Sequence, residues 1–546
     1  MNDSAAAADN GSNRRKQQAR ELIFSCLCSF VLLLFCTRSS PLYPMNNWDD
    51  ANSYFSMGKA MMNGMVPYRD LFDQKGILLY FLYGIGYLIS HTTFLGVFII
   101  EVIAAMFHFW AVLKIAFLLT EDEKMLSDTA SDVRRQRFLC FLFVPLYGAC
   151  VYSARCMWYG GSAEELMLPL FAWGMYLLLQ ILKKPSEESA DSGKAVIRLV
   201  FIAGILAGCV LHIKFNSLGF FFGWMAAVFF LRLRRDGVWR SLIHCLVFLG
   251  GMAAATLPWL LYFLIRGAVY DWFHVTIYLN LFVYSEKLPL LQRLDSVART
   301  LLTHFRDNRF AFVPSIAGIF WLFITRRANI AQKAAVFAAG LFLTIGIFIG
   351  GVTLPYYPVP LMVFALLAVP ALANILKAAV DYLFEKHSSD HADGSERRVK
   401  SAAARGIAAA AVALLCYGVI VYSSLNTSWL GTKQSEVWQY RFRDDIAASS
   451  VSDPTLINMN CFDVGLYTVA DIVPTCYFFQ TQTIHLPDVH DRQLENLLNG
   501  DTVFVVACGG ETEGIDERYR VIDEADEEYF GTEMHYYLYQ REDTIQ

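Results

Sequence analysis

Charge is scarce in this chain: Asp, Glu, Lys and Arg make up 17% of its 546 residues, against 55% hydrophobic residues. A water-soluble domain carries about 25% charged residues and shorter apolar runs, so a soluble architecture is excluded. No strongly basic domain is present, which argues against nucleic acid as a partner. CxxC and HExxH patterns are missing, which removes the usual zinc sites. No internal repeat runs along the chain. The net charge of -5 says little, because in a membrane protein the position of each charge matters more than the sum.

What is abundant is apolar sequence in runs of about 20 residues, the length that crosses about 30 Å of hydrocarbon. A polar leader and the basic segment RRKQQAR precede the run from Leu22 to Thr37. A signal peptide would start this way, but the leader is long and no small-residue cleavage site follows, so an uncleaved first span is expected. Ten further spans are expected near 93–119, 138–154, 165–182, 197–213, 217–231, 243–265, 309–325, 333–350, 358–379 and 404–424. Residues 76–91 are apolar but short, and are expected to lie as a helix in the outer interface. With that threading the basic clusters at Arg134–Arg137, Lys183–Lys184, Arg232–Arg235, Arg326–Arg327 and Arg397–Lys400 all fall in alternate loops. Positive loops face the cytoplasm. The reading is therefore an all-α polytopic protein of the plasma membrane, with residues 1–20 as a cytoplasmic tail and 21–424 as the transmembrane unit. Residues 425–546 turn polar and acidic, with β-rich runs (PTLINMN, TVFVVAC, MHYYLYQ) and the helix-like DVHDRQLENLLNG. They are expected to form a small extracytoplasmic α/β domain.

Eight of the twelve cysteines lie in apolar runs and read as small buried hydrophobes. Cys461, Cys476 and Cys508 lie in the polar part, where spacing leaves a Cys461–Cys476 bridge open.

The polar residues gather in the expected outer loops, above all in residues 40–92. Asp49 and Asp50 open an expected helix there, where a carboxylate also serves as an ordinary cap. Lys75 reads as a snorkelling lysine or a phosphate ligand. Lys214 ends an apolar span on the side that orientation does not require to be positive, so a bound anion becomes a fair explanation. Arg155 and Arg266 also end spans on that side. Glu164 and Glu165, after Gly160 and Gly161, suit either a hydroxyl-rich substrate or a helix cap. His212 and His274 are outer-facing, and a lone histidine is usually structural.

The first loop has a recognisable pattern. DANSY (Asp50–Tyr54), then GKAMMNGMVPYRDLFDQKG and an apolar helix, resembles bacterial glycosyltransferases of the GT-C fold, relatives of lipid A aminoarabinose transferases and protein O-mannosyltransferases. GGSAEE is similar to their second outer loop and PYYPVPLMVF to a late-span motif. The resemblance covers roughly residues 20–380 in layout and rests on about five short motifs. It implies that Asp50, four residues before Tyr54, is the catalytic base, and that Lys75 of KGIL matches the lysine of a Lys-Pro-Pro-Leu element. Ala51 replaces the second acid of the family's Asp-Glu, and Asp49 is an extra acid before it. The expected activity is transfer of a sugar from a polyprenyl-phosphate carrier to an extracytoplasmic hydroxyl on an envelope glycan, lipid or protein. Such chemistry needs one carboxylate base and cations for the leaving phosphate; Lys75, Lys214 and Arg155 would supply the cations, with Tyr54, Glu164 and Glu165 as further substrate contacts. No cofactor is required, and a divalent cation is left open. Two other functions compete: a transporter or flippase of lipid-linked sugars, which would place polar groups at the membrane midplane, and a non-catalytic cell-surface scaffold.

Overall fold

Lipid offers the backbone no hydrogen-bond partners, so apolar runs must fold as helices. The computed structural model, which describes residues 2–120, 130–183, 190–285, 288–351, 353–386, 394–484, 486–509, 515, 518–529 and 531–545, has them as such. The chain begins with α1 (Asn2–Cys36), α2 (Asp49–Met62) and α3 (Ile77–Ile89). α3 has 13 residues, roughly 20 Å of helix, shorter than the hydrocarbon layer. Its buried face, with Tyr80, Tyr83 and Gly84, packs on α2.

Next come α4 (Leu95–Thr120), α5 (Ala130–Tyr152), α6 (Ala163–Ile181), α7 (Ala190–Lys214) and α8 (Gly219–Ile265). α8 holds two expected spans, because its course breaks at Gly237, where φ is 74°, a conformation open to glycine. α9 (Val269–Phe273) leads into a π-helical stretch, His274–Val283. α10 (Leu290–Asp307), α11 (Arg309–Ile324) and α12 (Ile330–Phe348) follow, then a 3-10 stretch (Val359–Leu367) that continues as α13 (Ala368–Lys386), and α14 (Gly394–Ser423). Each expected span lies on one of these helices. Among the described residues six stretches are long and apolar enough to cross a membrane, and one of them, Gly193–Ile265, runs from α7 through α8. Small residues let the helices approach: Gly204 of α7 lies against Phe248 and Gly251 of α8, and Gly219 against Phe342 of α12.

The bundle has two unlike ends. At one, Arg327 donates to the Thr120 carbonyl (3.1 Å), Arg232 to Ile181 (2.9 Å) and Asn329 to Leu182 (2.8 Å). These are the loops read as cytoplasmic from their basic clusters; Lys184 and residues 387–393 lie outside the described residues. At the other end Asn426 donates to the carbonyls of Cys36 (2.6 Å) and Trp158 (3.2 Å).

The last part is built from α15 (Trp438–Ala448), β1 (Leu456–Met459), α16 (Leu466–Val469), α17 (Val489–Asn499), β2 (Phe504–Cys508), β3 (Tyr519–Tyr529) and β4 (Thr532–Arg541). The sheet runs β1-β2-β4-β3, with β1 parallel to β2 and the other pairs antiparallel. Alternation along its strands gives two apolar faces. Leu456, Phe504, Val506 and Leu538 join the core shared with the bundle, while Ile457, Met459, Val505 and Ala507 pack with Leu497 of α17. All twelve cysteines are free thiols, Cys461 and Cys476 included.

This unit clasps α2. Lys59, fully buried, donates to the Tyr467 carbonyl (2.8 Å) and to Asp471 (2.9 Å). Ser56 donates to Asp463 (2.5 Å) and Ser53 to Gln480 (2.6 Å).

Candidate active site

The first turn of α2 has Trp48 as an extended N-cap with no side-chain cap bond, so Asp49 and Asp50 occupy the turn itself. The positive end of the helix dipole favours carboxylates there. Successive helical residues diverge by about 100°, and the two acids do diverge. Asp49 accepts from the Asp50 backbone N–H (2.7 Å) and lines a cavity against the C-terminal unit. Asp50 turns toward the bundle, where Lys75 Nζ lies 3.7 Å from Oδ1 and the Tyr356 hydroxyl donates to Oδ2 (3.0 Å).

Lys75 is held by its own loop. Its carbonyl accepts from Tyr68 (2.7 Å), and its N–H donates to the Tyr80 hydroxyl (2.8 Å), which in turn donates to Asp73 (2.8 Å). Burial opposes the charge of the Lys75 ammonium, but Asp50 and Asp73 outweigh it and hold its pKa above the usual lysine range. Burial pushes the Asp73 carboxyl up, against the pull of Lys75. Gly76 lies against the end of α7, where a Cβ would stand 2.1 Å from the His212 carbonyl oxygen. That approach explains why glycine occupies the position after the lysine.

The close approach brings Lys214 beside the group. It is ion-paired with Glu164, and its ammonium sits 4.0 Å from the Tyr357 ring centre and 5.1 Å from that of Tyr356. Such placement of a cation over an aromatic face is attractive. Tyr356 thus touches both halves, with its hydroxyl on Asp50 and its ring near Lys214, and it packs against Trp48 and Trp158. Tyr284 and Tyr357 meet through their hydroxyls at 3.1 Å. The Tyr54 ring lies 5.5 Å from the Lys75 ammonium. The Tyr54 hydroxyl and the Trp48 indole N–H are buried with no hydrogen-bond partner among the described residues.

Below the two lysines lies an open cavity of about 1200 Å³, its mouth included. Lys75, Lys214 and Asn280 line its polar part, and Ile277, Leu281 and Ile347 are among its apolar walls. Among the described residues no group of three or more His, Cys, Asp or Glu side chains is arranged to hold a metal ion.

No protein-family model and no curated protein matches this chain. Solved structures do. The crystal structure of ArnT from Cupriavidus metallidurans in the apo state superposes with a TM-score of 0.61 at 13% identity, over 94% of this chain and 97% of that one. The same protein bound to undecaprenyl phosphate gives 0.60 at 11% identity, over the same shares. The fold is that of ArnT. With its long apolar helices, that fold makes this chain a multi-pass helical membrane protein with a small sheet-bearing unit.

Within the ArnT-like fold Asp50, Tyr54, Lys75, Glu164 and Lys214 come together, although the first and last are far apart in sequence. Asp49 stands one residue away and faces another cavity. Glu165 serves the helix start: its N–H donates to the Ser162 cap (2.9 Å) and its Oε2 accepts from Gly161 N–H (3.0 Å). Arg155 is exposed near Asp307, away from the group. His212 accompanies Thr256 (2.9 Å) and lines the cavity. Tyr356, Tyr357 and Tyr284 are not singled out by sequence reasoning; PYYPVP is the only signal that points to the first two.

Proposed function

We propose that this chain is a membrane glycosyltransferase that moves a sugar from a polyprenyl-phosphate carrier to an acceptor hydroxyl, with Asp50 as base. The observation that carries the reading is the pairing of Asp50 with Lys75, which together with Lys214 lines the polar part of a mainly apolar cavity. A lipid phosphate has this same division into an anionic head and an apolar tail. The ArnT structure with undecaprenyl phosphate is a precedent for such a ligand on this fold.

In the proposed step Asp50 takes the proton from the acceptor hydroxyl as its oxygen bonds to the anomeric carbon. The bond from that carbon to the carrier phosphate breaks, and its electron pair leaves with the phosphate. Lys75 and Lys214 stabilise the charge that develops there. Phosphate is a good leaving group, so the second carboxyl group that glycosidases need is not required. Attack opposite the leaving group inverts the anomeric centre. The site end of the bundle faces outward, as the basic loops at the other end imply.

The test is turnover of a polyprenyl-phosphate sugar by Asp50→Asn and Asp49→Asn, per folded molecule. Asn keeps the shape of Asp50 but cannot accept the proton, so Asp50→Asn should lose about a hundredfold or more while donor binding persists. Asp49→Asn should lose far less. Near-normal turnover in Asp50→Asn refutes the assignment.

A further inference from the structure

Two buried acids adjoin the candidate site without lining its cavity. Glu165 follows Glu164 in the first turn of α6, and Glu101 reaches the same point from α4; they are 2% and 1% exposed. Each has one oxygen firmly held. The Thr37 hydroxyl donates to Glu101 Oε1 (3.0 Å), with Ser39 close by, and the Gly161 N–H donates to Glu165 Oε2 (3.0 Å). The other two oxygens, Glu101 Oε2 and Glu165 Oε1, are buried with no partner among the described residues. Yet the two carboxyl groups lie within hydrogen-bonding reach of each other. The turn that leads into α6 fits closely over this pair. Gly160 and Gly161 have φ of 89° and 81°. A Cβ on Gly160 would stand 2.1 Å from Thr37 Oγ1 and 3.1 Å from Glu101 Oε1, and one on Gly161 would stand 2.4 Å from the Tyr83 hydroxyl. Tyr83 donates to the Gly161 carbonyl, and Asn46 to that of Gly160 (3.2 Å).

Two carboxylates cannot hydrogen-bond each other, because an ionised carboxylate only accepts. Two like charges in one buried site are also costly, and such a pair takes up a proton. The titratable groups that face the pair are Cys36 at the end of α1, Tyr83 of α3 and Tyr152 of α5. None of these is a base. His108 of α4 stands beyond Tyr152, whose hydroxyl it meets at 3.0 Å. Arg38, next to Thr37, turns its guanidinium to the rings of Tyr159 and Trp429 and to Asn47. The Lys214 ammonium is engaged by Glu164. One proton between Glu101 and Glu165 gives the pair its own hydrogen bond and halves its charge.

We infer that Glu101 and Glu165 share a single proton and, so joined, position Glu164, and through it Lys214, for the donor phosphate. The inference rests on the transferase reading and adds two positioning residues to it. Loss of the proton leaves two buried charges side by side, and their repulsion acts on the first turn of α6. Glu164 lies in that turn, so its ion pair with Lys214 is displaced with it.

The test uses the full chain in lipid nanodiscs, with isotope-labelled glutamate so that infrared spectroscopy separates its carboxyl groups from those of aspartate. At about pH 6 the wild type should show the carbonyl stretch of a protonated glutamic acid, and the band should fade toward about pH 9, the range of buried glutamates. Glu101→Gln and Glu165→Gln should each fold and lose this band. In either one an amide N–H replaces the proton in the hydrogen bond and leaves the same net charge. Binding of polyprenyl phosphate gives the second reading. Over the same rise in pH, the wild type should lose affinity about tenfold, the worth of one charge-assisted hydrogen bond. The glutamine variants should lose clearly less, since their pair has no shared proton to give up. No such band in the wild type, a band that survives both substitutions, an equal pH response in the folded variants, or failure of both variants to fold overturns the inference. The band depends on neither turnover nor donor, so its absence leaves the transferase reading standing. A band without polyprenyl-phosphate binding at any pH removes that reading, and the positioning role with it.

Discussion

Replacing Lys214 by methionine removes one of the two cations proposed for the donor phosphate, and the structure also says what else it removes. The side chains of Lys214 and Glu164 are 11% and 3% exposed. Deleting only the cation leaves a buried carboxylate without its partner, which costs about 3–5 kcal/mol of stability. The clean perturbation is therefore Lys214→Met with Glu164→Gln, which removes both charges and preserves volume. An ammonium has three donors; one serves Glu164, so the others remain for a ligand. A charge-assisted hydrogen bond contributes about 1.5–3 kcal/mol, or roughly 10- to 150-fold in Kd. Lys75 remains, so binding should weaken within that range without being lost. Lys214→Arg should keep part of the affinity, because it keeps charge but not shape. The assay is equilibrium binding of polyprenyl phosphate to protein in nanodiscs, with the folded fraction measured on the same sample. An unchanged Kd in the folded double variant would show that Lys214 serves Glu164 alone.

Four further outcomes are expected. Tyr356→Phe removes the hydroxyl that donates to Asp50, so turnover should fall about three- to tenfold with donor Kd unchanged. Lys59→Met leaves Asp471, itself 37% exposed, in contact with water, so the loss should stop at about 1–3 kcal/mol and appear as a lower Tm and earlier protease release of the C-terminal unit. Burial lifts Asp463 from its ordinary 3.8 to about 6; the folded state then holds its proton at a pH where the unfolded chain has lost it, so thermal stability should fall as pH rises from about 4 to about 6 and level off above, and Asp463→Asn should flatten that slope. In a cysteine-free background, a single cysteine at Gly431 should react with an impermeant thiol reagent from outside and one at Arg326 should not; the opposite pattern would invert the threading.

The bundle is legible in the sequence because lipid imposes a run length, and even the break between the two limbs of α8 falls between two runs. α10 escapes that reading. Arg293, Asp295, Arg299 and Arg306 interrupt its leucines, so no apolar run forms, although Leu290, Leu291, Leu294 and Leu302 share its exposed surface. β3 escapes for a similar reason. It is an edge strand, and YRVIDEADEEY carries the acids that edges tolerate. Asp50 and Lys75 are visible through motif, and Lys214 through a charge that orientation does not explain. Tyr356 and Tyr357 look like any interface tyrosines, and only the fold brings them to Asp50 and Lys214. Lys59 looks like a solvated helix residue, since its burial comes from residues about four hundred positions later.

That separation has a consequence for biosynthesis. Asp463, Asp471 and Gln480 lie 407, 412 and 427 residues after their partners on α2. At about 5–20 residues per second, roughly 20–80 s pass between the emergence of α2 and that of its clasp. Through that interval Lys59 has no carboxylate to meet, and the helix that bears Asp50 has one face open. A nascent chain can therefore insert its early spans while the turn that bears Asp50 is still unfinished. The window is one in which a chaperone or a protease can act on it.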